Sequence, residues 1–392
     1  MGEAMAVANP YESLEARAKQ ALAPWDGSLE LTWRCNERCA MCYLGPDWGK
    51  GRKKDELSTA EVIGLLGELQ EAGCFELMLT GGEVCLRKDF VEIVNHAGSL
   101  GFMLTLKTNG TMVTRELAEA IRNNPIRKVD MSLLGASAET HDTVTKIPGS
   151  FGKTLRGIEH IRAAGMNVKL NYTALKLNYR EVVEAGRLAR SLGCEFEWSS
   201  QVTPRDDRSV IPLTLRLDDP QMKEMQELKV AQVAEEFGDW QATEYSNEGW
   251  FCGAGRYSFN ITPYGEVQPC LLMRMDCGNI RDQPFMDIWR NGAEFLRLRS
   301  MRIQNVYGCN ECEIREYCSA CPGMFFMEMG DVTMPSPHTC RQTELKHQAA
   351  TGVFKPAGSR DTDGEFPRPA NNLFGGMGHQ PVPLRVLPRS DG

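Results

Sequence analysis

The chain has 392 residues, 42% of them hydrophobic and 24% charged, with a formal net charge of −8. That length allows one large domain and a smaller one, and the acidic balance gives no electrostatic case for a nucleic-acid partner. No apolar run reaches the ~20 residues that a membrane helix needs, and the start, MGEAMAVANPYESLEARAKQ, lacks the pattern of a secretory signal, so a cytoplasmic protein is expected.

Residues 1–27 read as an N-terminal extension, with residues 1–25 expected to be flexible. From Leu29 to about Ser200 short β-rich runs alternate with helical periodicity. LELTW (29–33) is a strand, and Thr59–Ala72 a helix with Ser58 as its N-cap. FELMLT (75–80), a helix over Phe90–Leu100, FMLTLK (102–107) and a helix over Thr114–Asn123 follow. VDMSLL (129–134), a helix over Lys153–Ala164, NVKLNY (167–172), a helix around Glu181–Ser191 and CEFEW (194–198) complete six β/α units. Such a run implies a parallel sheet with right-handed crossovers. The expected class is α/β, a partial (β/α)6 TIM-type barrel over residues 28–215. Residues 216–249 are expected to hold a linker helix, 250–345 a cysteine-rich domain and 346–392 a flexible tail rich in Pro, Gly and Asn.

Fourteen cysteines would suggest disulfides in a secreted chain, but without an export signal metal or redox chemistry is the better account. Three of them fall within eight residues, Cys35, Cys39 and Cys42, directly after the first strand. In a β/α barrel that end of the strands forms the active face. Three thiolates can hold three irons of a 4Fe–4S cube, which leaves the fourth iron free for a ligand from outside the protein. The alternative is a zinc knuckle, which wants a fourth Cys or His nearby, and no His precedes His96.

The C-x3-C-x2-C spacing after a first strand resembles the signature of the radical S-adenosylmethionine (SAM) superfamily. In that family the open iron chelates SAM, and electron transfer cleaves it to a 5′-deoxyadenosyl radical. Gly81-Gly82-Glu83 after the second strand resembles the family's GGE motif, which implies a SAM-binding role, with Glu83 accepting from the SAM ammonium. Thr108-Asn109-Gly110 after the third strand is similar to the family's TNG, although Asn109 also suits a simple turn. Ser132 resembles the serine that contacts SAM; the alternative is a strand-end serine bonded to nearby backbone. The arginine often found after a His-Asp pair is absent, since His141-Asp142 leads to Thr145-Lys146. Asn171, Asn178 and Trp198 are cleft candidates by position, with packing an equal reading for Trp198.

A second set, Cys252, Cys270, Cys309, Cys312, Cys318, Cys321 and Cys340, resembles the SPASM extension of these enzymes, which binds one or two auxiliary 4Fe–4S clusters. The resemblance assigns Cys252, Cys270 and Cys321 to one cluster and Cys309, Cys312, Cys318 and Cys340 to the other. Two residues, not the usual three, separate Cys318 from Cys321. The first auxiliary cluster is then one ligand short, to be completed by Cys277, by a non-cysteine group, or left open for a substrate thiolate. The alternative here is a zinc ribbon of Cys309, Cys312, Cys318 and Cys321. Cys85, two residues past Glu83, is either a hydrogen-atom donor to a substrate radical or a small apolar filler.

The resemblance implies a radical SAM enzyme that modifies a peptide or protein substrate, by a thioether or carbon–carbon crosslink in a ribosomally made peptide. It implies a flavodoxin- or ferredoxin-like electron donor. A sulfatase-maturing role fits less well, because Leu271 stands where those enzymes carry an acidic residue. The chief alternative is tailoring of an iron porphyrin or another small molecule, and a further one is a zinc or redox regulator.

Overall fold

The computed structural model describes residues 10–45, 51–237, 249 and 252–360. In chain order the elements are α1 (Pro10–Gln20), β1 (Asp26–Thr32), α2 (Thr59–Glu71), β2 (Glu76–Gly81), α3 (Phe90–Ser99), β3 (Met103–Thr108), α4 (Arg115–Ile121) and β4 (Ile126–Ser132). Then come α5 (Ala138–Thr145), α6 (Ser150–Ala163), β5 (Val168–Thr173), α7 (Val182–Ser191), β6 (Glu195–Ser199) and α8 (Asp219–Phe237). The cysteine-rich part holds β7 (Ser258–Ile261), β8 (Val267–Gln268), α9 (Phe285–Asn291), α10 (Ala293–Ser300), α11 (Pro322–Met329) and α12 (Pro337–Thr351).

The sheet runs β6-β5-β4-β3-β2-β1-β7-β8, and β1 to β6 are all parallel. Because the strands advance in one direction without a reversal, right-handed crossovers put every connecting helix on the same face. That face is apolar: Leu29, Leu77, Leu79, Leu104, Leu106, Val129 and Leu170 share one core with Leu65, Leu66 and Leu69 of α2 and Ile93 of α3. The other face is concave and polar, as in a barrel left open between β6 and the opposite edge.

The expected α/β partial barrel is present, with its parallel sheet continued by an antiparallel strand, β8, beyond β7. Ser58 caps α2 with a full capping box, its hydroxyl accepting from the Glu61 N–H and the Glu61 carboxylate accepting from the Ser58 N–H. Strand pairing also crosses the expected boundary at residue 250, since β7 lies parallel against β1 and extends the barrel sheet. Two stretches expected to lack order are ordered. Pro10–Gln20 is helical, held by Tyr11 against the rings of Trp25 and Phe75 and by its hydroxyl on Glu76. Helix α12 continues past Lys346, and the chain beyond it turns back so that Ala357 and Ser359 are buried. The rest of the expected tail, from residue 361, lies outside the described residues.

Candidate functional site

The loop after β1 carries Cys35, Cys39 and Cys42. It is held from one side by α5, with the Arg38 N–H donating to Thr145 O and the Ala40 N–H to Val144 O. From the other side the end of β2 is welded to it: Gly82 N–H donates to Thr32 O and Glu83 N–H to Arg34 O, at 2.7 and 2.8 Å. Both glycines are needed for that approach. A Cβ on Gly82 would sit 2.3 Å from the Arg34 carbonyl oxygen, and Gly81 combines a φ of +131° with 2.1 Å to Thr32 O. The backbone that the GGE turn approaches so closely is therefore the cysteine loop itself.

Glu83 is fully buried and ties β2 to β3. Its Oε1 accepts from the Thr108 hydroxyl at 2.7 Å and the Cys85 N–H at 3.0 Å, and its Oε2 from the Asn109 N–H at 2.8 Å. Desolvation still outweighs these bonds and raises its pKa. Beside these three donors the Cys85 thiol also hydrogen-bonds the Glu83 carboxylate.

Asn109 reaches the cysteine loop. Its Nδ2 donates to Asn36 Oδ1 at 2.8 Å and lies 3.9 Å from Cys35 Sγ, while its Oδ1 accepts from the N–H and hydroxyl of Thr111. The Asn36 amide closes the ring by donating to the Thr111 hydroxyl. Asn36 and Thr111 went unnoticed in the sequence, where each is an ordinary polar residue beside a motif.

The three thiols lie close enough that Cys42 and Cys35 act on Cys39, and Cys42 on Cys35. Burial is the first cause in all three and pushes the Cys35 thiol up to about 12. Glu37, also missed in the sequence, accepts from the Cys39 thiol at 3.4 Å, and burial raises it to about 7. Three thiols and two carboxyls gathered under desolvation suit a cationic group in their midst, which is what an iron centre with a chelated ammonium supplies.

The remaining candidates divide. Ser132 and Asn171 pair across β4 and β5 at the open end of the concave face. Asn178 is committed to the fold: it accepts from the Leu175 N–H and donates to Leu134 O and Thr173 O. Trp198 packs in the core and donates to Gln232 Oε1. The His141-Asp142 pair is local, with Asp142 accepting from Gly149 and Phe151 N–H at the start of α6 and His141 Nδ1 from the Leu134 N–H. Cys85 packs against the apolar core with its sulfur 3.9 Å from the Thr108 hydroxyl.

The second set of cysteines separates into two groups. Cys252 and Cys321 act on Cys270, and Cys321 acts on Cys252. Cys340, Cys318 and Cys312 act on Cys309, and Cys318 and Cys312 on Cys340. Backbone N–H groups of Ala254 and Leu272 donate to the sulfurs of Cys252 and Cys270, each at 3.4 Å. In the four-cysteine group Cys340 Sγ lies 3.1 Å from the Ser359 hydroxyl, so the segment after α12 covers it. The charge interactions of Cys321 are with Cys252 and Cys270, not with the other cysteines that a zinc ribbon would need. Among the described residues no three His, Cys, Asp or Glu side chains gather tightly enough for a lone metal ion; a cube holds its thiolates farther apart. Cys277 is buried in the core, and the charges acting on it are those of Glu294, Asp276, Arg297 and Arg299.

Comparison with known proteins agrees with this geometry. The family model "Radical SAM superfamily" matches residues 29–189, and "Iron-sulfur cluster-binding domain", the SPASM model, matches residues 252–322. The chain is 30% identical over 334 residues to an AdoMet-dependent heme synthase of Methanosarcina barkeri, covering 79% of this chain and 94% of that one. It is 28% identical over 382 residues to the mycofactocin maturase MftC of Mycobacterium tuberculosis, covering 94% and 93%. The fold is shared with Streptococcus suis SuiB, solved bound to its precursor peptide SuiA, at a TM-score of 0.61 and 15% identity over 82% of this chain and 80% of that one. The chain therefore belongs to the radical SAM superfamily, as an enzyme with a SAM-binding 4Fe–4S cluster and a SPASM domain for auxiliary iron–sulfur clusters.

Proposed function

We propose that the enzyme modifies a peptide, forming a thioether or carbon–carbon crosslink at a site generated above the Cys35 loop. The observation that carries this reading is the near end-to-end match to a mycofactocin maturase, over 94% of this chain and 93% of that protein, against 79% of this chain for the heme synthase. The peptide-bound relative with this fold supports it.

In this reading Cys35, Cys39 and Cys42 hold the first cluster, which when bound with SAM supplies a 5′-deoxyadenosyl radical for hydrogen abstraction. Gly81 and Gly82 keep the loop tight, Glu83 presents its carboxylate to the SAM ammonium, and Thr108, Asn109 and Ser132 line the same pocket. Cys252, Cys270 and Cys321 hold one auxiliary cluster, and Cys309, Cys312, Cys318 and Cys340 the other. In this reading the three-cysteine group takes a fourth ligand from a non-cysteine group or a substrate thiolate, because the charges acting on Cys277 are those of Glu294, Asp276, Arg297 and Arg299 and not those of the three cysteines. Electrons come from a flavodoxin- or ferredoxin-like donor. The packing of Cys85 supports the filler reading over that of hydrogen donor.

A second reading, tailoring of a porphyrin, is favoured by the 30% identity to a heme synthase. The test incubates the anaerobically reconstituted chain with SAM, a reductant and either a short peptide encoded beside its gene or an iron porphyrin. A mass change in the peptide is the expected result; a change confined to the porphyrin overturns the peptide reading.

A further inference from the structure

The concave face of the sheet carries charge that the SAM site does not use. Parallel pairing sets Glu30 beside Thr80, Lys107 beside Asp130, Asp130 beside Lys169 and Lys169 beside Glu195. The pair Leu79–Leu106 brings Thr80 next to Lys107, so one row crosses the whole barrel. Side chains paired this way point to one side, and their chain neighbours to the other. Since Leu29, Leu79, Leu106, Val129 and Leu170 lie in the helix-covered core, the charged row faces the hollow. Lys128 joins it from the row below, where it pairs with Thr105.

The charges in this row are unevenly paired. At the β1 end Glu30 is taken by Arg274, at 2.6 and 3.2 Å. In the middle three lysines share two carboxylates. Lys169 is paired with Glu197, and Asp130 is divided between Lys128 at 3.7 Å and Lys107 at 4.0 Å. Glu195 lies exposed on the edge strand, and the charges that act on Lys107 are Asp130, Lys169, Lys128 and Glu197. Lys107 thus has the longest ion contact of the three and two like charges beside it. Its side chain is 42% exposed, yet the protein around it desolvates the ammonium enough to lower its pKa. The Lys107 side chain therefore stands on the inner face of the sheet with its ammonium within reach of solvent.

We propose that Lys107 anchors a carboxylate of the second substrate, the molecule that the enzyme modifies. A monoanion adds one negative charge beside Asp130, where a phosphate dianion would add two. Lys107 stands one residue before Thr108 and two before Asn109, whose amide touches the Cys35 loop. A substrate held there by its carboxylate extends about one or two strand residues, ~3.3 Å each, toward the rim where the radical is made. The inference does not depend on whether the substrate is a peptide or a porphyrin, since both carry carboxylates.

SAM carries a carboxylate too, so the test separates the two sources. The cluster-loaded full chain with SAM is titrated with benzoate, and with benzamide as its neutral counterpart, by saturation-transfer NMR. Benzoate is expected to bind the wild type, to bind K107M about tenfold more weakly, and to bind K107R nearly as well as the wild type, which separates lost charge from lost structure. Benzamide is expected to bind none of them better than K107M binds benzoate. Absence of benzoate binding to the wild type, or equal binding to K107M, overturns the proposal. So does a rise in the KM for SAM in K107M, read from 5′-deoxyadenosine release, as large as the loss of benzoate binding, because it would give the lysine to SAM.

Discussion

The Asn109 side-chain amide lies 3.9 Å from the sulfur of Cys35, a residue 74 positions earlier in the chain. Hydrogen bonds to cluster sulfurs are one of the levers that set iron–sulfur potentials, because they favour the more negative, reduced state. If Cys35 is a ligand, removing this donor lowers the potential of the first cluster. A bond of about 1 kcal/mol corresponds to a shift of roughly 40 mV for one electron. N109A is therefore expected to titrate about that much more negative than the wild type in an EPR-monitored redox titration. An unshifted potential would leave Asn109 as a turn residue only.

Gly82 gives a sharper geometric test. A Cβ there meets the backbone oxygen of Arg34 at 2.3 Å, and no side chain can give way. The cysteine loop has to move instead. G82A is expected to lose about four irons per chain, one cube, while the auxiliary irons stay. Iron and sulfide analysis after anaerobic reconstitution reads this directly. Loss of all iron would mean that the strain had spread beyond the loop.

These two residues also show how far the sequence was legible. Gly82 and Asn109 stand inside motifs, and alternation of apolar residues fixes the strands that carry them, so the site's outline was expected from those strands together with the motifs' resemblance to the family's. Its supports could not. Asn36, Glu37 and Thr111 are polar residues of ordinary type whose partners depend on how three loops meet. Helix α1 was missed because its surface is mostly polar and its hold on the barrel comes chiefly through Tyr11. The segment around Ser359 reads as a loose tail until the carboxylate of Glu344 is seen accepting from the Ala357 N–H and from Arg360. Strand β7 is only four residues long, and nothing local says that it pairs with β1.

Cys321 separates the two accounts of the cysteine-rich segment. The grouping with Cys252 and Cys270 makes C321A remove the first auxiliary cluster alone, for a loss of about four irons. C340A should remove a different cube and leave the first. A zinc ribbon would instead make C321A release zinc and C340A release nothing. Metal analysis of the two variants, side by side, decides between them.

The last prediction concerns the buried charges that join the cysteine loop to the SPASM segment. Arg274 pairs with Glu30 and with Asp206, at 2.6 and 3.0 Å, and the Tyr43 hydroxyl, one residue past Cys42, donates to Glu30. One cation thus faces two carboxylates away from water. Desolvation, followed by the neighbouring charge of Glu30, outweighs Arg274 and raises Asp206 to about 7. An acid whose folded pKa is raised costs stability as it ionises, because the unfolded chain gives up that proton near pH 4 and the folded one near 7. Between those limits the contribution of Asp206 to stability falls as pH rises, by at most about a factor of ten in the unfolding equilibrium per pH unit. D206N removes that dependence, so the difference in urea midpoint between D206N and wild type should grow in favour of the variant from pH 4 to 7 and then level off. R274M acts in the opposite sense, leaving two carboxylates buried without a cation, and is expected to cost about 3–5 kcal/mol at neutral pH. That cost should shrink on acidification as the orphaned carboxylates take up protons. A pH-independent loss in R274M would show that the arginine matters for packing against Trp33 and Tyr43 more than for charge.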